Sequence, residues 1–405
     1  MRSDLLERLR AGLPGAAALL DALADERGVW LVGGTVRDLL LERPPRPELD
    51  VAVEHDVDEL TARLAAALGG VVRTHDRFGT ATLALDGLRV DLARTRAERY
   101  PAPGALPVVR PAPLRDDLAR RDFSVNAIAL GLDGRIENVP GALDDVVSAQ
   151  LRVLHSASFR DDPTRLLRLV RYAVRLGFAI EPETARLARE AAAGGALDSL
   201  SSDRLAAELV LAAHEPDPVA VVALAADLGV LDGLAPGLVA DGPLRGALAL
   251  LGADGRRDAL VLGALARELE LAAAVAFVAR FAVDARARVA AQSVATEAKS
   301  LAAALEAAPE RPSSWAELLR TSPVETAALA GALGPAERVR RWLEELRHVR
   351  LEIDGADLLA AGVAEGPAVG AGLAHALALR LDGQLAPGGA AEVEAALAAA
   401  RRARS

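Results

Sequence analysis

The 405-residue sequence contains no cysteine, which excludes disulfides, thiolate metal sites and a cysteine nucleophile. It has one lysine, Lys299, and one methionine, and only 3% of its residues are aromatic although 52% are hydrophobic. The apolar content is therefore alanine, leucine and valine, a mixture suited to helices packed closely through small side chains. Long hydrophobic runs are also missing. The longest near the middle of the chain, Leu271 to Ala279, falls far short of the roughly 20 residues that span a bilayer. The opening Met1-Arg2-Ser3-Asp4 lacks the charged-then-apolar pattern of a leader. The expectation is a soluble, cytoplasmic protein with no membrane contact.

The net charge of −10 argues against a general nucleic-acid coat and leaves room for a local basic groove. Residues 1–180 carry a net −1 and the remainder −9, while Leu151 to Ile180 holds six arginines against two aspartates. Positive charge is concentrated there, with a smaller terminal run, Arg401-Arg402-Ala403-Arg404.

The chain is too long for one compact domain. Leu5 to Ala24 reads as one amphipathic helix. Short β-like stretches follow at Val29 to Val32, Leu49 to Val53, Gly70 to Arg73, Thr80 to Leu85 and Leu88 to Leu92, with helical patterns at Thr35 to Leu41 and Val57 to Leu68. These predict a mixed α/β unit over roughly residues 1–150. Tyr100 to Pro113, with five prolines, reads as a long loop, ordered or mobile. Beyond residue 150 the β signal fades into Ala/Leu/Arg-rich helices separated by Gly and Pro, without a fixed-period repeat.

Four segments carry candidate chemistry. In Leu31-Val32-Gly33-Gly34-Thr35-Val36-Arg37-Asp38 a strand ends at a glycine pair and a helix begins. Such a turn lets backbone approach an anion, with Arg37 in reach of a phosphate; an ordinary tight turn has the same signature. In Glu48-Leu49-Asp50 two carboxylates share one strand face. Oxygen-only ligands suit Mg²⁺, although a solvated strand edge would also carry acids, and Asp91 on a later strand is a candidate third carboxylate. In Arg120-Arg121-Asp122-Phe123-Ser124-Val125-Asn126 the arginine pair, Asp122 and Asn126 could clamp a triphosphate and sugar, or pin a loop. Last, Asp162-Pro163-Thr164-Arg165 starts a helix on which Arg165, Arg168 and Arg171 recur every third residue. A carboxylate beside a guanidinium matches the Watson–Crick edge of a base; a solvated basic face is the alternative.

In this order and spacing the segments resemble the class II tRNA nucleotidyltransferase and bacterial poly(A) polymerase family. The resemblance runs from about Leu31 to Phe178 and includes Arg77-Phe78-Gly79-Thr80, Arg96-Ala97-Glu98-Arg99-Tyr100 and Leu154-His155-Ser156-Ala157-Ser158-Phe159. It implies an α+β fold: a polymerase-β-like nucleotidyltransferase head (1–150), a helical neck that recognises the base (151–215), and a helical body and tail that bind tRNA (216–405). It further implies that Gly33, Gly34 and Arg37 hold the triphosphate, that Glu48 and Asp50 hold two Mg²⁺ ions, and that Arg120 and Arg121 bind the incoming nucleotide. Asp162 and Arg165 would act as an amino-acid template for CTP or ATP, with Arg168 and Arg171 nearby.

The implied reaction is addition of C and/or A to the 3′ end of tRNA with release of pyrophosphate. A poly(A) polymerase on other RNA ends, or a catalytically impaired RNA-binding protein, are the alternatives. The last is motivated by Glu48, which stands where the family commonly has Asp. The usual glycine after the helix that follows Arg37 is also absent, with Leu40-Leu41-Glu42-Arg43 in its place. The six histidines are scattered, without a His-Asp dyad in the helical half, which argues against an appended metal-dependent phosphohydrolase. Oligomeric state and the choice among CCA, CC and A addition are not legible.

Overall fold

The computed structural model describes residues 3–75, 79–85 and 87–402. Arg77 and Phe78 of the quoted motif, and residues 403 and 404 of the terminal run, lie outside that set. The chain forms two compact units, Met1–Ser201 with Asp227–Leu234, and Ser202–Ala226 with Ala235–Ser405.

The first unit begins with α1 (Ser3–Gly12) and α2 (Ala16–Leu23) in place of the single helix expected. Pro14 and Gly15 explain the break: proline disrupts a helix interior, and Gly15 takes φ 79°. Then come β1 (Val29–Val32), α3 (Gly34–Leu40), β2 (Glu48–Val53), α4 (Val57–Leu68), β3 (Val71–His75), β4 (Thr80–Leu85) and β5 (Leu88–Arg94). After them run β6 (Arg96–Arg99), β7 (Val108–Pro111), α5 (Leu114–Ala119), β8 (Ile128–Gly131) and β9 (Ile136–Asn138). Among the described residues, seven strands form one mixed sheet in the order β3-β4-β5-β2-β1-β8-β9. The β2–β5 pair is parallel and its neighbours antiparallel.

Strand alternation decides what each face carries. Leu49, Val51 and Val53 of β2, with Leu83, Val90 and Leu92, are buried, and α4 packs on the β3–β5 side. Asp56 caps α4 through the amides of Asp58 and Glu59. On the other face, Trp30, Val32, Ala52 and Ala129 pack against Leu114 and Leu118 of α5. That cover stops short of Asp50 and Glu48, which are exposed.

The stretch from Tyr100 to Pro113 departs from the expected loop. Its second half is β7, paired antiparallel with β6 from Arg96↔Pro111 to Arg99↔Val108. Its prolines sit at strand ends and in the connecting turn, where a missing N–H is tolerated. The turn is packed: the Gly104 amide donates to the Arg160 carbonyl at 3.3 Å.

Beyond the sheet lie α6 (Ala142–Val147), a parallel pair β10 (Gln150–Leu151) and β11 (Ala179–Ile180), α7 (Ser158–Asp161), α8 (Thr164–Leu176) and α9 (Pro182–Ala193). α8 buries Leu166, Leu167, Leu169, Val170, Ala173 and Leu176 and stops at Gly177, whose φ of 70° suits a helix C-terminus.

The described residues of the second unit contain helices and no strand. Leu305, Trp315, Leu319, Val339 and Trp342 anchor one core, and Leu358, Val363, Ala376 and Ala396 another. Small residues allow close approach: a Cβ on Gly263 of helix Arg257–Ala266 would lie 2.5 Å from the Ala291 carbonyl oxygen and from Val294 Cβ. No helix among the described residues is long and apolar enough to cross a membrane.

Candidate active site

The uncovered part of the sheet face is the floor of a cleft of about 820 Å³. Gly33, Gly34, Arg37, Glu48, Asp50, Asp91, Arg120, Arg121, Asp122, Asn126, Asp162, Arg165 and Arg168 all line it. Segments spread over more than a hundred residues of sequence thus meet at one place. Arg171 does not line it and is 5% exposed. Helical geometry gives the reason. At about 100° per residue, steps of three drift around the axis, whereas steps of three and four return to one face. The cleft-facing stripe of α8 is accordingly Arg165, Arg168, Tyr172 and Arg175.

Gly33 is the residue on which the floor depends. It adopts φ 68°, and a Cβ there would come within 3.2 Å of Arg121 Nη1 and 3.3 Å of Asp50 Oδ2. Glycine therefore admits both the backbone angle and the close facing of a guanidinium and a carboxylate. Asp50 pairs in register with Asp91, and Glu48 with Arg89. Asp91 accepts from Thr82 Oγ1 at 2.6 Å and ion-pairs with Arg89 at 3.0 Å. The Asp50 carboxyl is open to the cleft, but the surrounding walls displace part of its water. This desolvation is the first cause that pushes it up from its ordinary value, with Arg121 opposing and Asp91 and Glu48 reinforcing.

The arginines are held, not loose. Arg37 donates to Asp38 at 3.0 and 2.8 Å and to Asn126 Oδ1 at 2.5 Å. Asn126 in turn donates to Asp122 Oδ1 at 3.0 Å, and Asp122 Oδ2 ion-pairs with Arg168 at 2.7 Å. Asp117, 2% exposed, accepts from Arg120 through Oδ1 at 2.9 and 2.6 Å and from Arg121 through Oδ2 at 3.0 Å. Burial would raise the Asp117 carboxyl, but Arg120 and Arg121 outweigh it and hold it below the ordinary range. For Asp122, burial is likewise overcome, by Arg168 and then by the Asn126 hydrogen bond.

Arg165 donates to Ser158 Oγ at 2.6 Å and to the Arg120 carbonyl at 2.8 Å, which fixes its guanidinium in the cleft wall. Asp162 Oδ1 accepts from the Thr164 amide and hydroxyl at 3.2 and 2.6 Å, so it caps α8 from just outside the helix. Glu98, in the Arg96–Tyr100 segment, has no role legible from sequence alone. It accepts from Arg120 at 2.8 Å, Arg96 at 3.1 Å and Tyr100 Oη at 2.9 Å. Asp117, Tyr172 and Arg175 were also missed as site residues. The last two carry a signal, their seven- and ten-residue spacing from Arg165; Asp117 carries none, because its burial depends on tertiary packing.

Residues 29–152 match the family described as Poly A polymerase head domain, and residues 177–241 that described as Probable RNA and SrmB-binding site of polymerase A. A CC-adding tRNA nucleotidyltransferase of Deinococcus radiodurans is 37% identical over 361 residues, covering 87% of this chain and 84% of the relative. The chain belongs to the tRNA nucleotidyltransferase and poly(A) polymerase family. An A-adding tRNA nucleotidyltransferase of Halalkalibacterium halodurans is 42% identical over 213 residues, 51% of this chain and 50% of that protein. The chain spans half the length of that tRNA nucleotidyltransferase and about a quarter of two further A-adding relatives. Among solved structures, the Thermotoga maritima CCA-adding enzyme complexed with tRNA aligns with a TM-score of 0.78 at 27% identity over 97% of each chain. The α+β head followed by helices is the fold that this tRNA nucleotidyltransferase family resemblance implied.

Proposed function

We propose that the protein adds C and/or A residues to the 3′ end of tRNA from CTP and ATP, releasing pyrophosphate, without a nucleic-acid template. The observation that carries this reading is the meeting, in one cleft, of a carboxylate pair, an arginine clamp anchored on the buried Asp117 and the Asp162/Arg165 pair. Residues 1–150 would be the catalytic head, 151–215 the base-reading neck, and 216–405 the tRNA-binding body and tail. A tRNA substrate implies a cytoplasmic location.

Mg²⁺ is implied by the family, and the residues fit it. Glu48 and Asp50 offer only carboxylate oxygens, the hard ligands Mg²⁺ takes, and the raised Asp50 carboxyl is what a cation would relieve. Glutamate at position 48 keeps the oxygen donor on a stem one methylene longer. No cluster of three His, Asp or Glu side chains is gathered as a cage among the described residues, so water and phosphate oxygens would complete the shell. Asp91 would have to exchange its hydrogen bonds from Thr82 and Arg89 to join. When bound, two Mg²⁺ ions would acidify the RNA 3′-hydroxyl and neutralise the departing pyrophosphate.

The protein's own contribution is position and charge. Arg120 and Arg121, oriented by Asp117, would grip the triphosphate, with Arg37 and the Gly33-Gly34 backbone beneath it. Asp122 and Asn126 would hold the sugar. Asp162 and Arg165 would offer an acceptor and donors to the base edge, with Arg168 and Tyr172 alongside.

The test uses tRNAs ending before the first C, after CC and after CCA, each with one labelled nucleotide. The expected result is addition of a fixed number of C or A residues and none to the complete end. Continuous addition of A to any RNA would point to a poly(A) polymerase, and no incorporation with any acceptor would overturn the enzymatic reading.

A further inference from the structure

We infer that the outer wing of the sheet, β3 to β5, is the docking surface for the 3′-terminal phosphodiesters of the RNA acceptor, with Arg73 as its principal phosphate contact. The inference rests on reading the cleft as a nucleotidyl-transfer site.

Strand register supplies the geometry. Asp50 lies opposite Asp91, Asp91 opposite Thr82, and Thr82 opposite Arg73. Directly paired residues project from the same face, so one row crosses four strands from the carboxylate pair to Arg73. A second row runs Glu48, Arg89, Ala84, Val71. The wing's opposite face is core: Ala81, Leu83, Val90 and Leu92 are 0–1% exposed. On the row face, Arg73, Ala84 and Arg89 are exposed and Val71 is 67% exposed.

Chemistry selects the occupant. The attacking and leaving oxygens of a phosphoryl transfer are roughly in line. Gly33, Gly34, Arg120 and Arg121 take the triphosphate on the β1 and β8 side of Asp50, so the attacking hydroxyl has to arrive from the β5 side. The wing is continuous with the cleft there, since Thr80, Thr82, Arg89 and Asp91 line both. Arg73 has no ion-pair partner among the described residues, whereas Arg89 is paired with Asp91. A guanidinium available on an open face, beside threonine hydroxyls, suits a phosphodiester and a ribose hydroxyl. At about 4.8 Å per strand, Arg73 stands some three strand spacings from Asp50, the span of a nucleotide or two upstream of the reacting end.

The experiment compares the full-length wild type with Arg73→Glu and Arg73→Lys in steady-state extension of tRNA. Arg73→Glu is expected to raise KM for tRNA about tenfold or more, to lower the slope of log KM against log salt by about one, and to leave KM for CTP and ATP unchanged. Arg73→Lys should restore most of the loss. An active wild type whose acceptor KM and salt slope are unmoved by Arg73→Glu would overturn the inference, as would the wing binding a protein strand along the β3 edge instead of RNA. Filter binding of tRNA, read without turnover, separates the two possible failures. RNA held through Arg73 but never extended keeps the surface and overturns the transfer reading; equal binding by wild type and Arg73→Glu overturns the surface.

Discussion

Around the cleft, the protein buries charge: Arg37, Asp38, Asp117, Asp122, Asn126 and Arg165 are each less than a tenth exposed, and each meets a polar or oppositely charged partner. The helical unit buries alanine, leucine and two tryptophans, with Gly263 set against the Ala291 backbone. Its buried charges tie helices together and line no cleft described above: Glu325 and Glu392 accept from the backbone amides of Arg256 and Glu352, Glu392 also ion-pairs with Arg380, and Arg267 with Asp241. The contrast separates two uses of a protein interior. Buried ion pairs cost desolvation and are weak evidence for stability, but they fix the direction of a guanidinium; close apolar packing stabilises without aiming anything.

This comparison can be broken by substitution. Asp117→Ala should have the largest effect on folding, about 3–5 kcal/mol, because it strands two arginines; the milder Asp117→Asn should raise KM for CTP and ATP alike without changing the choice between them. Denaturant unfolding and nucleotide KM values check both, and a change in base choice would contradict the clamp assignment. Gly263→Ala should cost about 1–3 kcal/mol by overpacking while KM for nucleotides stays put, again read from unfolding and kinetics.

Acid should then expose the cleft's dependence on charge. The Asp117 and Asp122 carboxyls lie below their ordinary values in the folded protein. Their stabilisation is therefore complete above the unfolded value of about 3.9 and is lost as pH falls from there through the folded values. Calorimetry between pH 7 and 3 should show a drop in Tm beginning near pH 4, and a shallower one in Asp117→Asn. Smallest of all, Lys299→Ala removes an exposed pair with Glu268 and should shift stability by less than about 1 kcal/mol.

Strand alternation made Glu48 and Asp50 legible as neighbours on one face, and glycine at a strand end marked the turn beside them. A spacing of three predicts a slowly drifting stripe that includes Arg171, but each such step turns about 60° around the axis, far enough by the second step that Tyr172 and Arg175 face the cleft instead. Asp117 and Glu98 were invisible as orienting groups, since nothing local distinguishes a buried carboxylate between two arginines from a solvated one. β7 is hidden by prolines that mark its ends, whereas Pro14-Gly15 is the local signal for the break between α1 and α2.

The most direct test of the account is Asp50→Ala, assayed for labelled CTP and ATP incorporation into tRNA lacking its 3′ end, with tRNA binding measured in parallel. The account predicts that incorporation is abolished while tRNA binding stays nearly intact. Turnover at the wild-type rate would contradict it.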